Sequence, residues 1–201
     1  MLTVTIDGMT NLIEIPSTNA TSLVDPAQTK RITKILRRRS FCVLATTSLA
    51  GNSHAAGVVF DWADGSLFVH TMRSSRKARN IAANPQVGIV VPARRLPVGP
   101  PFTVQFHATA TIVAMNDEAI RRLLADRKLA TTSGHGALDE SDGCFLRITP
   151  ISVVHTYGIG VPVLGIIKDP LHAGARTTGW GRAWTNPSTV ETSGSTSRRS
   201  S

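Results

Sequence analysis

The sequence predicts a mostly β, α+β domain built from antiparallel hairpins with two or three helices. Three observations carry that prediction. From Ser40 onward, short apolar runs are punctuated by turn signals such as Ala50-Gly51-Asn52 and Asp64-Gly65, the texture of hairpins. Only three stretches place apolar residues on a helical stripe behind a capping residue. Finally, the elements run helix, hairpin, strand, helix, strand, long strand, helix, strand, strand, which excludes a doubly wound parallel sheet and favours a barrel-like fold. No internal repeat is visible.

In chain order, residues 1–24 read as an irregular arm, alternating only in LTVTI and LIEI. The first helix opens with Asp25 as N-cap, Pro26 in the first helical position and Gln28 in a capping-box-like spacing. Ile32, Ile35 and Leu36 form its apolar stripe, with cations on the other face. Phe41–Thr47 suits a strand buried on both faces, and Ser53–Phe60 is its hairpin partner. Asp61–Gly65 (DWADG) reads as a turn into the strand Ser66–Thr71. A second helix runs from about Ser75 to Ala83 and stops at Asn84-Pro85. Gln86–Val91 is a strand, Arg94–Pro101 a loop, and Phe102–Ala114 a long strand with a break or bulge. The third helix spans Asn116–Lys128, with Asn116 as cap and Ile120, Leu123 and Leu124 inward. After the polar stretch Thr131–Asp142, the strands Cys144–Thr149 and Ile151–Tyr157 hinge at Pro150. Periodicity fades after about Pro170, and the terminal SGSTSRRSS is low-complexity and expected to be disordered. The domain reading is thus an arm (1–24), a folded domain (25–167) and a partly disordered tail (168–201), part of which Trp180 and Trp184 are suited to dock.

The 201 residues are 41% hydrophobic and 17% charged, enough to bury one core. No apolar run reaches the roughly 18 residues of a membrane span. Residues 1–24 hold no Lys or Arg and no continuous apolar segment, unlike a secretory signal. Cys42 and Cys144 sit in apolar runs, as buried thiols of a reducing compartment do; a cytoplasmic location is the expectation. The formal net charge is +9. Six cations lie within Lys30–Arg39, four within Arg73–Arg79, and Arg176, Arg182, Arg198 and Arg199 follow in the tail. Such a balance raises nucleic acid as a partner, but aromatics are only 5% of the chain and no binding module is recognisable. Nucleic acid is therefore disfavoured.

Gly158-Ile-Gly160 is followed by Val163 where a dinucleotide fingerprint needs glycine, and it closes strands instead of opening a βαβ unit. The histidines at 54, 70, 107, 135, 155 and 172 have no HExxH or paired-ligand spacing, so no metal is predicted. Asp139 to Gly143 lacks the calcium-loop spacing.

One stretch carries chemistry: FVHTMRSSRKARNIAANPQVGIVV, Phe68–Val91. A strand ends at Thr71 and a helix opens near Ser75, presenting free N–H groups and the positive end of its dipole. Thr71 and Ser75 add hydroxyls, while Arg76 and Lys77 add full charges. Cations in a first helical turn oppose the dipole, so a bound anion would account for them; a solvated basic turn is the competing reading.

This block, with Leu44-Ala45-Thr46, Gly51, Phe60, Asp64-Gly65, Leu67, Thr71, Ser75-Arg76-Lys77, Asn80 and Asn84-Pro85 in that order, resembles the pyridoxamine 5′-phosphate oxidase-like family of FMN-binding split barrels over about residues 30–160. The resemblance implies a six-stranded antiparallel split β-barrel with two or three flanking helices, a homodimer, and a flavin held between subunits. It implies that Thr71, Ser75, Arg76 and Lys77 hold the flavin phosphate, with His70 beside them. Ala55, Ala56, Gly57, Val58, Val59 and Phe60 would run along the isoalloxazine ring, where small and β-branched residues let a flat ring approach. Thr103 and Tyr157 align with positions reaching the cofactor from elsewhere, including across the dimer.

The chain also departs from the family pattern. The oxidases carry an Arg and a Lys at the two ends of the hairpin strand, where Ala55 and Phe60 stand here, and their Arg/His-bearing C-terminal segment has no counterpart. Both losses weaken the grip on a pyridoxal phosphate. The expectation is therefore a flavin-dependent oxidoreductase acting on an unidentified small organic substrate, with pyridoxamine-phosphate oxidation disfavoured and no catalytic side chain assigned; His54 and His70 are candidate proton donors. FMN is the expected cofactor. The alternative is the 8-hydroxy-5-deazaflavin coenzyme, whose anionic tail suits Arg73, Arg79, Arg94 or Arg95. A competing class is a non-catalytic carrier of flavin, deazaflavin or haem on the same barrel.

Overall fold

Each long helix starts where a side chain caps it. The computed structural model describes residues 5–6, 9–10, 24–93, 102–134, 137–169 and 175–179. In α1 (Pro26–Leu36) the Asp25 carboxylate accepts from the Ala27 and Gln28 N–H groups at 2.9 and 3.2 Å. Ile32 and Leu36 are buried, while Lys30, Arg31, Lys34 and Arg37 are exposed. Gln28 does not complete the capping box. Its amide instead donates to Thr156 Oγ1 and to the Ile159 carbonyl, tying α1 to the barrel end. Ser75 caps α2 (Arg76–Ala83). The third helix, α3, is Glu118–Ala125 with Asp117 as N-cap, shorter than predicted and one residue beyond the expected Asn116. A carboxylate accepts from the first-turn N–H groups more strongly than a neutral amide oxygen does.

Two short strands, β1 (Thr5–Ile6) and β2 (Met9–Thr10), pair with each other. The main sheet contains β3 (Phe41–Thr47), β4 (Ser53–Val59), β5 (Asp61–Ala63), β6 (Ser66–Met72), β7 (Gln86–Pro92), β8 (Thr103–Ala114) and β9 (Gly143–Tyr157). Its order is β4-β3-β7-β8-β9-β6-β5, with β10 (Ala175–Gly179) also pairing with β9, and every pair is antiparallel. The two ends of that order, β4 and β5, are consecutive in the chain and joined through Phe60 alone. Counting this bent segment once, six strands close on themselves. Between β4 and β6 there is no ladder, and this gap is the split. The architecture is the predicted antiparallel split barrel.

Apolar faces of these strands fill the interior with Leu44, Phe60, Leu67, Ile89, Leu146 and Ile148, sealed by Ile32 and Leu36 of α1. A smaller cluster of Phe68, Ile120, Leu123, Leu129 and Phe145 fixes α3. The predicted inward residues of α3 are thus in contact with the sheet, Leu124 from a half-buried position. Both thiols are buried and free, as expected.

Several elements correct the sequence reading. Strand β3 is buried on one face only: Phe41 and Ala45 are exposed while Cys42, Leu44 and Thr46 are buried. Asp61–Ala63 is a short strand, and the turn is confined to Asp64 and Gly65, both at positive φ. Cys144 to Tyr157 is one continuous strand, not two. Pro150, which has no N–H to donate, sits where the β8 register shifts between Phe106 and Ala108, so a bulge absorbs the missing ladder bond. Helix α4 (Val163–Lys168) and β10 follow the last predicted strand. Arg94, Arg95, Trp180, Trp184 and the low-complexity end lie outside the described residues. No helix among the described residues is long and apolar enough to cross a membrane.

After β9 the chain turns at Gly158, whose φ is +74° and whose missing Cβ would overlap the Phe102 ring. Gly158→Ala is expected to cost about 1–3 kcal/mol from backbone strain, with displacement of Phe102 in addition. A melting curve superimposable on that of the native protein would refute this.

Candidate functional site

The turn between β6 and α2 is shaped by hydrogen bonds that use some of its polar groups and leave others open. Ser75 Oγ accepts from the Ala78 N–H at 3.3 Å and from the Thr71 hydroxyl at 3.2 Å. The Ser75 carbonyl accepts from Arg79 N–H. The N–H groups of Arg76 and Lys77, in the first helical turn, have no intrahelical acceptor. No acidic residue lies in that turn. Asn80, buried, donates from its amide to Thr46 Oγ1 at 3.0 Å and so docks α2 against β3. The result is a capped and docked helix start carrying two open donors and two cations.

The same turn is held from the other side by Asp142. Its Oδ2 accepts from the Ser74 N–H at 3.0 Å, and its carbonyl accepts from the Arg73 N–H at 2.9 Å. The bonds with Ser74, aided by the Arg73 charge, lower the Asp142 carboxyl below its ordinary 3.8. A depressed carboxylate supports the fold above its unfolded pKa and loses that support as pH falls through the folded value. The Ser74 amide resonance is therefore expected to titrate with a midpoint below 3.8 and to lose its titration in Asp142→Asn. A midpoint at or above the ordinary value would remove Asp142 from this role.

A groove of about 310 Å³ opens at the split, lined by Gly57, Val58, Val59, His70, Lys77, Thr131 and Thr132. One wall is β4, whose Ser53, Ala55, Gly57 and Val59 are exposed in alternation. The opposite wall brings in His70 from β6 and Lys77 from α2. The third wall is held by Asp61: its carboxylate accepts from the N–H groups of Thr131 and Thr132 at 3.3 and 2.8 Å and from the Thr132 hydroxyl at 2.8 Å.

His70 packs edge-on against Phe145, with centroids 5.5 Å apart. Burial pushes its pKa down, opposed by the Glu140 charge, so the imidazole is neutral at neutral pH. Its Nε2 is buried without a hydrogen-bond partner. Gly143 makes room for this ring, since a Cβ there would approach Nε2 to 3.0 Å. His54 points to the inner side of β4 and also has a buried, unpartnered ring nitrogen, Nδ1. Burial pushes the Cys42 thiol up to about 12 and raises that of Cys144, so neither is a nucleophile at neutral pH.

Among the residues singled out in the sequence, Gly57, Val58, Val59, His70 and Lys77 meet in this groove. Thr71, Ser75 and Arg76 are not among its lining residues: Ser75 caps α2, Thr71 donates to the Ser75 hydroxyl, and Arg76 is exposed next to Lys77 in the chain. Ala55 and Ala56 lie further along β4. Phe60 is fully buried, with its ring in the core. Thr103 and Tyr157 face each other across β8 and β9 and are not among the groove's lining residues. Thr131, Thr132 and Asp61 escaped the sequence reading. Their contacts span about seventy residues of chain, and neither segment carries a periodic signal.

Chemically, the groove offers an anion end, at Lys77 and the two open N–H groups, and a flat wall of small residues. Residues 28–155 match the family described as pyridoxamine 5′-phosphate oxidase. Among solved structures, HutZ, the haem storage protein from Vibrio cholerae, is 21% identical with a TM-score of 0.56, covering 65% of this chain and 95% of that one. A haem-binding protein from Mycobacterium smegmatis is 17% identical with a TM-score of 0.62, covering 81% and 62%. A FAD-binding protein from Mesorhizobium loti is 19% identical with a TM-score of 0.50, covering 60% and 86%. At these identities the likeness is one of fold. No curated protein sequence matches the chain.

Proposed function

Because the chain belongs to the pyridoxamine 5′-phosphate oxidase family, we propose that it is a flavin-dependent oxidoreductase, with FMN in the groove at the split. The observation that carries this reading is the junction of Lys77 and the α2 N-terminus with the small-residue wall of β4. The residues present fit the group. The open N–H groups of Arg76 and Lys77 and the Lys77 ammonium suit a phosphate, and the Gly57–Val59 stretch of β4 lines the groove beside them. When bound, the flavin supplies the hydride chemistry. The protein's own part is to fix the phosphate end through Lys77 and to line the ring with Val58 and Val59. Neutral His70 would offer a ring nitrogen to the polar edge, and the Thr131–Thr132 wall would narrow access of water.

The 8-hydroxy-5-deazaflavin coenzyme is the alternative occupant, with Arg73 and Arg79, both exposed on the same turn and helix, available to a longer anionic tail. A pyridoxamine-phosphate oxidase activity is disfavoured by Ala55 and Phe60. A second copy of the chain would pack on the outer sheet face, where Val43, Ala45, Gly88, Val90 and Gln105 line an apolar depression; we assign a homodimer in a reducing, cytoplasmic setting. Haem carriage is the second reading, favoured by a histidine, His70, in the groove lining and by the likeness to two haem-binding proteins.

An absorption spectrum of the purified protein, followed by titration with FMN and with the deazaflavin coenzyme, separates these readings. Saturable binding of either supports the flavin site and selects the cofactor. A Soret band on haem addition, without flavin binding, would replace it with the carrier reading.

A further inference from the structure

A second recess, of about 280 Å³, lies beyond the far edge of the β4 wall. Arg38, Arg39, Ser40, Phe41 and Pro92 line it. No acidic residue is among them. The Arg38 side chain is exposed and makes no hydrogen bond or ion pair among the described residues, while its backbone N–H is engaged by the Ile35 carbonyl. The recess sits at the C-terminal end of α1, where the helix dipole disfavours anions. Any anion held here is therefore held by side chains, not by the backbone. Lys30, Arg31, Lys34 and Arg37 line the exposed side of α1 leading to it, and such a stripe raises the local concentration of anions.

Phe41 makes this recess more than a basic dimple. It is a large apolar side chain left 49% exposed. Its ring lies across Gly57, so close that a Cβ at Gly57 would fall 2.9 Å from Phe41 Cε2 and Cζ. Gly57 is also a lining residue of the groove at the split. The ring of Phe41 therefore has the recess on one side and, through Gly57, the flat wall of the groove on the other. Val43 pairs with Val90, so Phe41 and Pro92 lie one pair along, at the rim of the apolar depression described for a second copy and not in its centre.

The geometry points to this recess as the subsite for the second reactant: a planar organic anion whose carboxylate, sulfonate or phosphate meets the Arg38 guanidinium while its flat body lies on Phe41, directed toward Gly57. A guanidinium presents paired donors to such oxyanions, and an aromatic ring offers a low-entropy platform for a flat apolar body. The inference rests on the groove being the flavin site, since it assigns the neighbouring volume to the reactant.

The test uses the full-length protein and a matched pair of probes, naphthalene-2-sulfonate and neutral 2-naphthalenemethanol, titrated by calorimetry. FMN affinity is measured separately on the same preparations. The sulfonate is expected to bind at least about tenfold more tightly than the alcohol, as for a charge-assisted bond. Arg38→Ala should remove that preference, Arg38→Lys should keep part of it, and Phe41→Ala should weaken both probes. FMN affinity should be unchanged in Arg38→Ala. Equal binding of the two probes, no binding of either, or a preference that survives Arg38→Ala overturns the subsite. Failure of the native protein to bind FMN overturns the flavin reading instead, whatever the probes do.

Discussion

Lys77→Ala is expected to weaken FMN binding by about 10- to 100-fold while leaving the melting temperature of the cofactor-free protein unchanged. Hydrogen bonds to charged groups contribute about 1.5–3 kcal/mol, and about 1.4 kcal/mol is a factor of ten in affinity. Lys77 is half-buried on the groove wall, where solvent screens it less than an exposed cation. Arg76, exposed in the same turn, should give a smaller loss that disappears at high salt. Lys77 makes no ion pair among the described residues, so its removal leaves no carboxylate stranded and the fold has little to lose. Lys77→Arg should recover part of the affinity, since the charge is retained with altered reach. Unchanged affinity in Lys77→Ala by fluorescence titration would eliminate the phosphate socket.

The largest effect on stability is expected at Phe60. This residue is the sole link between β4 and β5, is fully buried, and donates its N–H to the Ser40 carbonyl at 2.8 Å. Replacing a buried phenylalanine by alanine costs about 3–5 kcal/mol. Here the cavity opens at the bend through which the barrel closes, so relaxation would alter the direction of β4 and with it the groove. Urea unfolding of cofactor-free Phe60→Ala should show a strongly lowered midpoint, and FMN binding should fall as well. Phe60→Leu, which keeps most of the volume, should recover most of both. A loss below about 1 kcal/mol in Phe60→Ala, outside the range for such truncations, would mean that closure does not depend on this side chain.

What could be read in the sequence follows from how local each signal is. Asp25, Pro26 and Ser75 marked helix starts because capping is decided within four residues, and β3 and β6 were legible as short, mostly apolar runs set off by turn residues. Strand β5 was missed because three residues cannot establish a period. Its identity depends on β6, which pairs Trp62 with Leu67. The one-sided exposure of β3 was also illegible: Phe41 and Val43 are as apolar as Cys42 and Leu44, and only the tertiary arrangement decides which face meets the core. In the site, the Ser75-Arg76-Lys77 run was visible because a cationic first turn contradicts the helix dipole. Asp61 and Asp142 were not, because each acts on a segment about seventy residues away and looks in sequence like any surface carboxylate.

Strand β4 pairs with β3 along one edge and, among the described residues, with no strand along the other. Every second residue of Ser53–Val59 therefore turns its backbone N–H and C=O toward the split. An open edge of this kind is a template for a strand from another chain, and β4 has no proline and no Lys, Arg, Asp or Glu to discourage one. A ligand with a polar rim seated in the split occupies the place such a strand would take. Holding a ligand there is thus also protection against edge-to-edge self-association, and the empty protein is the form expected to aggregate first during concentration or storage.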